Sequence, residues 1–217
     1  MTEEVLQLHC PVGETDCPLI EDAASLRLEN STLRATLRTD TLTGLFNYRH
    51  LQECLDTELE RTRRTRNPTA LIMLDLDHFK RVNDNWGHEV GNQALKSTAA
   101  ILKASLRKLD IPCRYGGEEF ALVLPGTSLL PAIEVAERIR SSIAATPLEI
   151  GGEELMLSAS LGVEIFRADM QLSADEFIHL ADGYLYQAKQ EGRDRVSHPS
   201  LPDATAVTAD ERAALFS

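Results

Sequence analysis

Ile111-Pro112-Cys113-Arg114-Tyr115-Gly116-Gly117-Glu118-Glu119-Phe120-Ala121-Leu122-Val123-Leu124 places two short apolar runs around a glycine pair. Ile111 to Tyr115 and Glu119 to Leu124 read as strands, joined into a β-hairpin by Gly116-Gly117. Two carboxylates, Glu118 and Glu119, stand just past the turn. Glycines there remove side-chain bulk, so a ligand can approach the backbone closely. Alone, such a stretch is only a hairpin.

Working outward, Leu51 to Arg66 reads as a helix ended by Asn67-Pro68. Thr69 to Leu76 is a continuous apolar run of buried-strand length that opens into Asp75-Leu76-Asp77. Gly87 to Leu109 carries a second helical pattern, with Leu95, Ala99, Leu102 and Leu106 on one side. Beyond the hairpin follow a helix at Leu129 to Ala145, a short hairpin around Gly151-Gly152 and a strand at Met156 to Phe166. A last helix, Ala174 to Glu191, is stopped by Gly192. Helices alternating with mostly hairpin-linked strands predict an α+β fold, a central and mainly antiparallel sheet flanked by helices.

The 217 residues suit one ordinary domain with short extensions, and 43% hydrophobic with 26% charged residues is a globular balance. No apolar run approaches the roughly 20 residues that cross a bilayer, so no membrane span is expected. The opening MTEEVLQLHC has neither a basic n-region nor an apolar core, and a cytoplasmic location is expected. A formal charge of −12 disfavours nucleic-acid binding, which needs a basic face to displace counterions. Cys10, Cys17, Cys54 and Cys113 show no metal-type spacing beyond a loose Cys-x6-Cys, and read as reduced thiols.

Residues 1–18 read as a flexible leader and residues 197–217 as a frayed tail. Between leader and body, Leu19, Ala23, Leu26, Asn30, Leu33 and Leu37 follow a heptad rhythm. Asn30 at an a position favours a parallel two-stranded coil. Asp22 and Glu29 at g face Arg27 and Arg34 at e, as paired chains would place them. Residues 19–38 are therefore expected to form a helical stalk in a homodimer; a helix packed on its own domain is the alternative.

Three clusters of charge fall in the body, residues 39–196. Asp75 ends a buried apolar strand, an expensive place for a carboxylate without a cation or donor. Glu118 and Glu119 follow the glycine turn. Lys189 and Arg193 stand four apart on the last predicted helix, so both are expected on one face. Carboxylate oxygens for Mg²⁺ with cations beyond them suit a nucleoside triphosphate.

Taken together, these motifs resemble the GGDEF family of diguanylate cyclases. The signature stands as Arg114-Tyr115-Gly116-Gly117-Glu118-Glu119-Phe120, with Glu in place of the usual Asp. An opening motif, Asp40-Thr41-Leu42-Thr43-Gly44-Leu45-Phe46-Asn47, precedes it. LDLDHFKRVNDNWGHEVGN fills Leu74 to Asn92, and Ala188-Lys189-Gln190-Glu191-Gly192-Arg193-Asp194 closes the set. The resemblance implies a palm-like nucleotidyl-cyclase fold that condenses two GTP into cyclic di-GMP and releases two pyrophosphates. It implies Mg²⁺, with Mn²⁺ as a substitute, held by Asp75, Glu119 and the Leu76 carbonyl. Glu118 is implied as general base or as a further metal ligand. The backbone around His78, Phe79 and Lys80, the Gly116-Gly117 turn, and the side chains of Lys80, Lys189 and Arg193 are implied around the phosphates. Asn83 is implied as a reader of guanine.

One departure stands out: Gly91-Asn92 replaces the family's usual Gly-Asp. Asp accepts from two adjacent guanine donors, whereas Asn offers one acceptor and a donor. Weaker guanine binding is the expectation. Arg107-Lys108-Leu109-Asp110 matches the family's R-x-x-D inhibitory site for product, with Arg138 as its second arginine. The stalk-plus-cyclase layout is similar to cyclases that a regulatory protein switches on through the stalk. The rival reading is a catalytically silent receptor for GTP or c-di-GMP, although silent members usually lose the acids that are present here.

Overall fold

The computed structural model describes residues 25–27, 29 and 38–200. Contacts divide the chain into two units at Arg38–Thr39. In the first unit, residues 25–27 and 29 are helical. The rest of the expected leader and stalk lies outside the described residues, as do Cys10 and Cys17 and residues 201–217 of the expected tail.

The second unit contains β1 (Phe46–Asn47), α1 (Tyr48–Thr65), β2 (Thr69–Leu76), α2 (Phe79–Trp86), α3 (His88–Ser105), β3 (Ile111–Gly116) and β4 (Glu119–Leu124). It continues through α4 (Leu129–Ala144), β5 (Leu148–Ile150), β6 (Glu153–Leu155), β7 (Ala159–Phe166), α5 (Ala174–Gln190) and β8 (Val196–Ser197). Six strands form one sheet in the order β1-β3-β4-β2-β7-β8, and β5-β6 is a separate hairpin. The three inner pairings are antiparallel, while the edge strands β1 and β8 run parallel to their neighbours. The expected α+β architecture is present.

β2 explains the layering. Its alternate residues Ala70, Ile72, Leu74 and Leu76 join one core with α2, α3 and α4. Leu71 and Met73 join the other, with α1 and α5. A strand buried on both faces reads as a continuous apolar run, which is why it was legible. α1 contributes Leu51, Leu55 and Leu59, one per turn, and begins where the Asn47 side chain accepts from the His50 N–H. α5 begins in a Ser173/Glu176 capping box and lies close on β7. A Cβ on Gly162 of β7 would run into the backbone of Leu185 and Ala181, so only glycine permits this approach.

Three differences from the sequence reading bear on the site. The pattern from Gly87 to Leu109 is shorter, ending at Ser105, and an unassigned helix, α2, precedes it. Gly87, at φ 83°, separates the two. Ser197, read as tail, is buried in β8 against β7. Arg193 is not on the last helix. α5 ends at Gln190, Gly192 turns at φ 116°, and Arg193 follows in the left-handed region at φ 64°. The shared helix face expected of Lys189 and Arg193 therefore does not exist, although the Arg193 N–H folds back onto the Ala188 carbonyl at 3.0 Å.

Candidate active site

The sheet register sets the acidic residues side by side. Asp75, next to last in β2, lies opposite Glu119 of β4 and opposite Ser160 of β7. Lys189, reaching in from the last turn of α5, places Nζ 2.9 Å from Asp75 Oδ2. Burial pushes the Asp75 carboxyl above its usual range; Lys189 opposes this, and Glu118 and Asp77 add to it. Burial likewise raises Glu119, with Asp75 next, Lys189 opposing, and Asp182 and Glu118 raising it further. Carboxylates that raise one another in a partly buried place suit a cation between them.

Among the described residues, no three His, Cys, Asp or Glu side chains converge closely enough to hold a metal unaided. Two carboxylates with a nearby backbone carbonyl are instead the donor set of Mg²⁺ sites whose shells substrate phosphates and water complete. The residues present fit that ion. The Leu76 N–H points to the Glu118 carbonyl at 3.4 Å, joining the end of β2 to the turn that carries Glu118.

That turn is fixed from outside. Gly117 takes φ 52°. Arg114 Nε and Nη2 donate to its carbonyl at 3.0 and 2.8 Å. Arg114 Nη1 donates to both Asp40 oxygens at 3.2 Å, and Asp40 also accepts from the Thr43 hydroxyl at 2.6 Å and the Thr43 N–H at 2.9 Å. Burial raises Asp40, but the Thr43 bonds and the Arg114 charge outweigh it and hold the carboxyl below its ordinary value. The opening motif and the signature are thus one unit. Arg114 and Asp40 were quoted as motif letters without roles; their opposite charges were the available signal.

Beyond β2, His78 turns the chain at φ 55° into α2. Phe79 is 7% exposed, so it can offer a ligand its backbone only, whereas His78 and Lys80 are exposed. α2 and α3 meet at Gly91, where a Cβ would collide with Asn83 Oδ1. Glycine there seats the Asn83 side chain one residue from half-buried Asn92. The helix carrying Asn83 was missed because most of its residues are polar. Its signal was Phe79, Val82 and Trp86, at i, i+3 and i+7.

Arg107-Lys108-Leu109-Asp110 forms a tight turn after α3. The Arg107 N–H donates to Asp110 Oδ2 at 2.8 Å, and the Asp110 N–H to the Arg107 carbonyl at 3.0 Å. Arg138 Nη2, from α4, donates to the Ser105 carbonyl at 2.9 Å, which brings it to the same end of α3. A cavity of about 510 Å³ lies elsewhere, lined by Arg66, Pro68, Leu129, Glu164, Arg167 and neighbours, and none of the expected site residues lines it.

Fold and site together define an α+β domain with paired carboxylates on neighbouring antiparallel strands beneath a basic helix end. The family profile described as "Diguanylate cyclase, GGDEF domain" matches residues 37–195, and the chain belongs to the GGDEF family. It is 40% identical over 176 residues to diguanylate cyclase DgcP of Pseudomonas aeruginosa, covering 81% of this chain and 26% of that protein. It is 38% identical over 160 residues to response regulator PleD of Caulobacter vibrioides, covering 73% and 35%. The chain thus spans about a quarter to a third of the length of these two relatives. Among solved structures, P. aeruginosa diguanylate cyclase SiaD, in complex with its activator SiaC, matches with TM-score 0.71 and 38% identity, covering 84% of this chain and 70% of that one. The GGDEF domain of Caulobacter crescentus DgcB, in complex with c-di-GMP, matches with TM-score 0.71 and 30% identity, covering 74% and 92%. No helix among the described residues is long and apolar enough to cross a membrane.

Proposed function

We propose that this chain is a diguanylate cyclase, condensing two GTP into cyclic di-GMP with release of two pyrophosphates. The observation that carries the reading is Asp75 in register with Glu119, with Lys189 on Asp75, at the foot of the Gly-Gly-Glu-Glu turn. Relatives named diguanylate cyclase, and a related GGDEF domain crystallised with c-di-GMP, support it.

Asp75, Glu119 and the Leu76 carbonyl would hold Mg²⁺, or Mn²⁺ in its place, on the triphosphate. The ion would lower the pKa of the attacking 3′-hydroxyl and stabilise charge on the pyrophosphate. Glu118 either takes the 3′-hydroxyl proton or adds a ligand. The first amides of α2, Lys80, Lys189 and Arg193 hold phosphate oxygens, with Gly116 and Gly117 leaving room above. Asn83, and Asn92 less strongly than an Asp would, accept from guanine. Each domain holds one GTP, so two must face each other in a homodimer. A stalk at residues 19–38 would supply the effective concentration. By likeness to SiaD, a regulatory protein gripping that stalk is a further proposal. Arg107, Asp110 and Arg138 would bind product and inhibit.

The test is turnover of GTP with Mg²⁺ by the whole chain, with product identified by chromatography, beside a Glu118→Ala/Glu119→Ala double variant. Cyclic di-GMP from wild type alone supports the reading. GTP or c-di-GMP binding without turnover, at high concentration and with bound product removed, would favour the silent receptor, to which only Asn92 leans.

A further inference from the structure

We propose that Asp77 is a positioning residue that aims Arg193 at the triphosphate, an inference that rests on the cyclase reading above. Asp77 belongs to the same Asp-x-Asp as Asp75. The structure divides them. Asp77 is 7% exposed, and its carboxylate is taken up by the protein. Oδ1 accepts from the Ser160 hydroxyl at 2.7 Å; Oδ2 accepts from the Ser158 hydroxyl at 2.9 Å and from the Asp194 N–H at 3.1 Å. Its own N–H donates to the Ser158 carbonyl at 2.9 Å. One buried side chain thus joins the end of β2, the start of β7 and the loop after α5.

That loop is where direction has to be imposed. Arg193 and Asp194 sit consecutively in the left-handed region, at φ 64° and 45°. Neither is glycine, so the conformation persists only where neighbours over-determine it. Four bonds do so. The Arg193 N–H reaches the Ala188 carbonyl at 3.0 Å, and the Arg195 carbonyl accepts from the Leu161 N–H at 2.9 Å. Arg140 Nη1 holds the Asp194 carboxylate at 2.7 Å. The fourth, from the Asp194 N–H to Asp77, ties the loop to the residue that follows the strand carrying Asp75. Without it, Arg193 keeps its charge and loses its fixed origin. Phosphate contacts depend on such placement at the ångström scale.

A double-mutant cycle tests this. The readout is the dissociation constant, with Mg²⁺, of a GTP analogue whose α–β bridge is methylene and cannot be cleaved, so turnover is not needed. Asp77→Asn keeps the shape but puts an NH2 group where one of three donors now points. It should weaken binding about tenfold. Arg193→Ala should weaken it at least as much, and the double variant should be no worse than Arg193→Ala by more than about twofold. Losses that multiply would overturn the proposal, because a merely structural Asp77 would act independently of Arg193. Should Asp77→Asn not fold, as read by circular dichroism, Ser160→Ala carries the same cycle. It removes one donor, leaves the charge, and should give a smaller loss that vanishes in the Arg193→Ala background. A wild-type chain that fails to bind the analogue would instead remove the cyclase reading, and the proposal with it.

Discussion

Gly91 is small for the sake of its neighbour. A Cβ there would occupy the place of Asn83 Oδ1, so Gly91→Ala must push the Asn83 side chain away. In the cyclase reading this raises KM for GTP by about tenfold, the cost of one hydrogen bond to the base, and leaves kcat nearly unchanged. Steady-state kinetics separate the two. Glu164 supplies a second test. It is 7% exposed on β7, with Oε1 accepting from the Ile165 N–H at 2.7 Å. Burial raises its carboxyl despite that bond and the Arg167 charge. Between the ordinary carboxylate value and this raised one, the folded chain holds more proton than the unfolded chain. Stability at this residue therefore falls as pH rises through that window. Glu164→Gln keeps the acceptor and removes the charge. It should raise Tm at neutral pH, by about 2–4 °C per kcal/mol gained, and the gain should disappear in acid, where Glu164 is already protonated. A series of melts over pH checks this.

At the scale of elements, α5 matters because its last turn delivers Lys189 to Asp75. The helix can do so only because β7 has no side chain at Gly162. Gly162→Ala would force backbone apart, with no flexible tip to give way. It should cost about 1–3 kcal/mol or more, read as a lower urea midpoint, and loosen Lys189 from Asp75. The β3–β4 turn depends in the same way on an element distant in sequence. Arg114→Ala removes three donors at once, two from the Gly117 carbonyl and one from Asp40. In the cyclase reading, turnover should fall by about 10²-fold, since the Glu118 and Glu119 carboxylates lose their support, while most of the fold survives. Kinetics beside a urea melt distinguish the two effects.

At the scale of the molecule, the domain carries one set of the proposed nucleotide residues, and the proposed reaction needs two. A chain begun at Thr39 should show initial rates that rise with the square of enzyme concentration. The whole chain, if residues 19–38 pair, should stay linear down to much lower concentration. A stopped assay over a dilution series reads both. Arg138 and the Arg107–Asp110 turn stand at the same end of α3, although Arg107 and Arg138 are 31 positions apart in the chain. In the proposed reading, Arg138→Ala raises the product concentration needed for half-inhibition and leaves the initial rate alone.

The sequence by itself determined the sheet's inner strands, four of the helices that flank it, and the family, because each rests on short-range pattern. Apolar runs, glycine turns and four ordered motifs are all visible in one dimension. It also named Asp75, Glu118 and Glu119 before any register placed them. What it misjudged or passed over depends on contacts between distant segments. α2 was hidden by its polar face. Arg193 was placed on a helix that Gly192 ends first. Asp40, Arg114 and Asp77 were letters in motifs until folding brought opposite charges, a carbonyl and an N–H to them. Only the tertiary structure decided that Asp75 faces Glu119 while Asp77 turns inward. Strand register and hydrogen-bond partners belong to pairs of segments, and neither segment carries them alone.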